Sequence, residues 1–146
     1  VPTSPDFVLP IGKADIKRVG KDVTVVTYGR MLERVLKAAD KAAEKGIEVE
    51  VVDLMTLAPL DRETIIESVR KTGRVLLVND AHKTGGFLGE IAASIAESGA
   101  FDYLDSRILR LAAEDIPTPY NHSLEVAMLP DVDRILKYIE RLYDKR

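Results

Sequence analysis

Asp22-Val23-Thr24-Val25-Val26-Thr27-Tyr28-Gly29 is an almost unbroken β-branched run closed by a glycine. Such a run, without polar alternation, reads as a strand buried on both faces, as in a parallel sheet covered by helices. Directly after it, Leu32, Val35, Leu36, Ala39, Ala42 and Ala43 recur at helical spacing, with Glu33 and Lys37 four apart and Gly46 placed to end the helix. The pattern then repeats. Val49, Val51, Val52 and Leu54 predict a second core strand, and Asp61 is placed to cap a helix carrying Ile65, Ile66 and Val69. Val75 to Val78 predict a third, followed by a helix through Ile91, Ala92 and Ile95. Ile108, Leu109 and Leu111 predict a fourth, an irregular stretch runs over 115–121, and a last helix from about Asp131 carries Val132, Ile135, Leu136, Ile139 and Leu142.

In the other direction, Ile11 to Val19 mixes apolar residues with Lys13, Asp15, Lys17 and Arg18, the pattern of a short edge strand whose charges discourage further pairing. Pro2, Pro5 and Pro10 predict an extended lead-in over 1–10, ahead of one domain over 11–146. Alternating strands and helices define the fold class as α/β, with a mostly parallel sheet covered on both faces.

Composition narrows the function. A formal net charge of -3 gives no electrostatic footprint for nucleic acid or an anionic membrane. The absence of cysteine excludes disulfides, a thiol nucleophile and thiolate metal sites. No apolar run approaches the roughly 20 residues of a membrane helix. The start at Val1 has neither an initiator methionine nor a signal-peptide pattern, which points to a trimmed chain or a piece of a longer one.

Candidate chemistry is sparse. His82 follows the third core strand, where open α/β sheets place ligand groups, and could serve as a base or an interface contact. His122 precedes Ser123, but no G-x-S-x-G elbow accompanies it. Thr84-Gly85-Gly86 at a helix start could cradle an anion, yet no dinucleotide or Walker fingerprint surrounds it. Asp53 and Asp80 end strands without further ligands at metal-binding spacing. An exposed loop histidine, a turn glycine and a strand-end cap are the commoner readings, so no catalytic, cofactor-binding or metal-binding residue is assigned.

The order of short motifs says more. Ile11-Gly12-Lys13-Ala14, the run from Asp22 to Gly29, Val51-Val52-Asp53-Leu54-Met55-Thr56-Leu57-Ala58-Pro59-Leu60-Asp61, Ser68 to Arg74, Thr84-Gly85-Gly86-Phe87 and Pro117-Thr118-Pro119-Tyr120-Asn121 together span nearly the whole chain. In this order they resemble the transketolase C-terminal domain of beta subunits of thiamine-dependent 2-oxo acid dehydrogenases (pyruvate, branched-chain and acetoin). The resemblance implies a three-layer α/β/α domain with a five-stranded sheet whose first strand is an antiparallel edge. It implies that thiamine diphosphate and magnesium belong to other parts of the parent enzyme, so this chain binds no cofactor. It also implies an assembly role toward an alpha subunit and a dihydrolipoyl acyltransferase core, in the cytoplasm or the mitochondrial matrix of a eukaryote.

Three departures stand out: Met55 where arginine is usual, Asp80 where glutamate is usual, and Ser106-Arg107 where a small residue and proline are usual. A homo-oligomer is expected, with Met31, Met55, His82 and Leu88 as candidate interface residues. A non-catalytic assembly domain is the leading reading. An engineered self-assembling building block derived from that domain is the alternative, and an independent small-molecule enzyme using His82, Asp80 and the Thr84-Gly85-Gly86 turn ranks below both.

Overall fold

The computed structural model describes residues 7–144. The lead-in prolines Pro2 and Pro5 lie outside the described residues. The strands are β1 (Asp15–Arg18), β2 (Val23–Thr27), β3 (Val49–Asp53), β4 (Val75–His82) and β5 (Leu109–Ala113). The helices are α1 (Met31–Ala43), α2 (Arg62–Thr72), α3 (Leu88–Ala96), α4 (His122–Met128) and α5 (Val132–Tyr143). One sheet holds all five strands in the order β1-β3-β2-β4-β5. β1 pairs antiparallel with β3, and every other pairing is parallel. The mostly parallel sheet and the edge position of β1 are as the sequence predicts, and its antiparallel direction is as the family resemblance implies.

The period of two along each strand divides the core in two. Val23, Val25, Val49, Val51, Leu76 and Val78 face α1 and α5, whose Val35, Ala39, Ile135 and Ile139 complete that layer. Val26, Val52, Val75 and Leu77 face α2 and α3, packing with Ile65, Val69, Ile91 and Ile95. β2, at the centre, is buried at every position. Its threonines are buried too, and Thr24 donates its hydroxyl to the Ser68 carbonyl at 3.0 Å, satisfying the polar atom inside the sheet–helix layer.

The helix ends follow local chemistry. The Ile47 and Gly46 N–H groups bond the Ala42 and Ala43 carbonyls at 3.0 and 2.9 Å, a Schellman closure around Gly46 at φ 78°. Asp61 caps α2 as predicted, accepting from the Thr64 N–H at 3.2 Å and the Thr64 hydroxyl at 2.8 Å. It also accepts the Ala14 N–H at 3.0 Å, which fastens the start of the edge strand to α2. Burial pushes the Asp61 carboxyl up, but the Ala14 and Thr64 hydrogen bonds and the Lys13 ammonium outweigh it and hold the group below its ordinary value. The folded state therefore binds fewer protons here than the unfolded state. The stabilisation is complete above the ordinary carboxylate pKa and is lost as pH falls through the folded one. Asp61→Asn is expected to cost about 1–2 kcal/mol at neutral pH, with the difference shrinking in acid. Denaturant unfolding at neutral and acidic pH checks this; a pH-independent difference would mean that the charge plays no part.

Glu50 is a feature the sequence reading passes over. It lies in β3 with its side chain 0% exposed, paired with the Lys71 ammonium from the last turn of α2. Its Oε2 also accepts the Gly20 N–H at 3.4 Å. Its Oε1 and the Ser68 hydroxyl have no protein partner. These groups edge a cavity between β1 and α2 that Thr64 and Glu67 also line.

The stretch over 115–121 is irregular as expected, and a short helix the sequence reading did not predict follows it. Residues His122–Met128 form α4, capped by Asn121, whose side-chain oxygen accepts from the Ser123 and Leu124 N–H groups. His122 therefore opens a helix instead of lying in a loop.

Candidate functional site

The carboxyl ends of the parallel strands gather most of the candidate residues. His82 is the last residue of β4, and its Nε2 meets the Ile116 carbonyl at 2.8 Å. Two residues on, Thr84 donates its N–H to Asp115 Oδ1 at 3.0 Å and its hydroxyl to Oδ2 at 2.7 Å. These bonds fasten the segment after β5 to the end of β4 and leave a shallow depression of about 310 Å³ lined by His82, Thr84, Asp115, Ile116 and Pro117. The Thr84 N–H and then its hydroxyl hold the Asp115 carboxyl below its ordinary value, against a small opposing burial effect, and the nearby His82 adds to the lowering.

Asp80 is tied elsewhere, its Oδ2 accepting from Arg30 Nε at 2.7 Å. Asn79, fully buried, donates to the Tyr28 hydroxyl at 2.6 Å, and the Tyr28 ring meets Phe87 edge-on at 6.5 Å. Asp53 accepts the Met55 N–H at 3.4 Å within its own turn. The two strand-end carboxylates thus sit on strands separated by β2, each with its own partner. Among the described residues no group of three or more His, Cys, Asp or Glu side chains could hold a metal ion. This donor set does not fit a magnesium-bound diphosphate.

Of the three groups that the independent-enzyme reading invokes, His82 and the Thr84 turn line one depression, whereas Asp80 is engaged by Arg30 and does not line it. The glycine turn has a packing reason. A Cβ on Gly86 would lie 2.1 Å from the His82 carbonyl oxygen, so only glycine lets the turn close on the strand end.

Two of the four candidate interface residues are corrected. Met31 is 0% exposed and Leu88 is 1% exposed. Both are the first residue of a helix whose inward stripe they begin, Met31 with Val35 and Ala38, Leu88 with Ile91 and Ile95. They fill this chain's own core and offer no surface. Met55 does reach the surface, in a left-handed backbone conformation (φ 54°), where it edges an apolar groove with Phe7, Val8 and Leu9. His82 is exposed at the rim of the shallow depression. Nothing in the structure explains the Ser106-Arg107 departure.

What sequence reasoning missed is the set of exposed apolar residues that follows β5. Ile116, Tyr120, Leu124 and Val126 are all exposed within eleven residues of chain, a stretch held at its start by the Thr84–Asp115 and His82–Ile116 contacts.

Residues 12–135 match the family described as the C-terminal domain of transketolase. The chain belongs to the transketolase C-terminal domain family. Within it, the similarity is to beta subunits of 2-oxo acid dehydrogenases. The chain is 47% identical over 135 residues to the mitochondrial pyruvate dehydrogenase E1 component subunit beta-1 of Arabidopsis thaliana, covering 92% of this chain and 37% of that protein. It is 49% identical over 131 residues to the 2-oxoisovalerate dehydrogenase subunit beta of Bacillus subtilis, covering 89% and 40%. The chain thus spans about two fifths of the length of these curated relatives. Among solved structures, a split-gene transketolase described as an inactive beta4 tetramer superposes with a TM-score of 0.81 at 27% identity, over 98% of this chain and 45% of that one. A 2-oxoglutarate:ferredoxin oxidoreductase from Magnetococcus marinus shares the fold alone, at 12% identity and a TM-score of 0.61.

Proposed function

We propose that residues 11–146 are the assembly domain of a 2-oxo acid dehydrogenase beta subunit, entered through a lead-in over 1–10, and that they carry out no chemistry by themselves. The observation that carries this reading is the set of exposed apolar side chains Ile116, Tyr120, Leu124 and Val126 on a segment whose start is fastened to the end of the sheet through Asp115 and Ile116. Large apolar side chains gathered on one segment mark an interaction surface more than isolated exposed residues do. His82 belongs to this face, and Met55 to a second one at the lead-in groove.

The partner of the first face is another copy of the chain, a reading supported by the tetramer described for the split-gene transketolase. In the full enzyme the domain also contributes to association with an alpha subunit and to docking on a dihydrolipoyl acyltransferase core. Thiamine diphosphate and magnesium are held by other parts of that enzyme, which acts in the cytoplasm or the mitochondrial matrix. No helix among the described residues is long and apolar enough to cross a membrane.

Leu124→Glu tests the contact. Leu124 is 58% exposed, so the substitution should change monomer stability by no more than about 0.5 kcal/mol. Sedimentation is expected to show the assembled species shifting to the 16.1 kDa monomer. An unchanged assembly would remove this face from the reading. Calorimetric titration with thiamine diphosphate and magnesium is expected to give no heat of binding, and a saturable isotherm would refute the claim that the cofactor is held elsewhere.

A further inference from the structure

We draw no further inference here: the strongest candidate, the polar cavity between β1 and α2 lined by Glu50, Thr64, Ser68 and Lys71, belongs to the ion pair already described, whose buried carboxylate is neutralised by the fold's own lysine.

Discussion

Gly20→Ala is expected to lower stability by about 3 kcal/mol and the melting temperature by roughly 10 °C. Gly20 is buried in the turn between β1 and β2, against the start of β3. An added Cβ would lie 2.2 Å from the Val49 carbonyl carbon and 2.3 Å from the Glu50 nitrogen. Both are backbone atoms of a strand paired on each side, to β1 and to β2, so no side chain can swing away to make room. Relief requires the turn to lift off β3, and that also breaks the Gly20 N–H bond to Glu50. Thermal melting of the variant reads the effect. A melting temperature within a degree or two of the parent chain would mean that the turn and β3 are not packed as closely as described.

Lys71→Met is expected to cost a similar amount, for an electrostatic reason. Glu50 is enclosed, and Lys71 is the one cation paired with it among the described residues. Removing one member of a buried pair leaves the other charge without compensation, at about 3–5 kcal/mol. The Lys71 side chain is 44% exposed, so water can partly replace it and the lower end of that range applies. The double variant Glu50→Gln, Lys71→Met removes the charge along with its partner and is expected to recover most of the loss. Denaturant unfolding of the two single variants and the double variant closes the cycle. If the double variant were as unstable as the sum of the singles, the two residues would not be coupled and the ion pair would be incidental.

The sequence reveals the parts of this fold that repeat a pattern and hides the parts that depend on a distant partner. β2 is legible because burial on both faces leaves no alternation, and Asp61 because a cap sits at a fixed offset from its helix. Met31 and Leu88 are misjudged for one shared reason. Each opens its helix, where periodicity has no preceding turn against which to be compared, so the inward stripe is counted from the next apolar residue. Glu50 reads as an ordinary strand charge because its lysine lies 21 residues away on α2. α4 is missed because Leu124 and Val126 point outward, leaving only Met128 buried and no inward stripe to detect. That failure is informative. A helix whose apolar residues face solvent has no inward stripe to predict it by, and the exposure of those residues is the basis of the proposed assembly face.

Association is read from the solution mass of the parent chain by light scattering on a sizing column over a range of concentrations. The expected result is a defined multiple of 16.1 kDa that persists on dilution, in keeping with a closed, symmetric assembly. A mass of 16.1 kDa at every concentration would contradict self-association through the exposed residues Ile116, Tyr120, Leu124 and Val126.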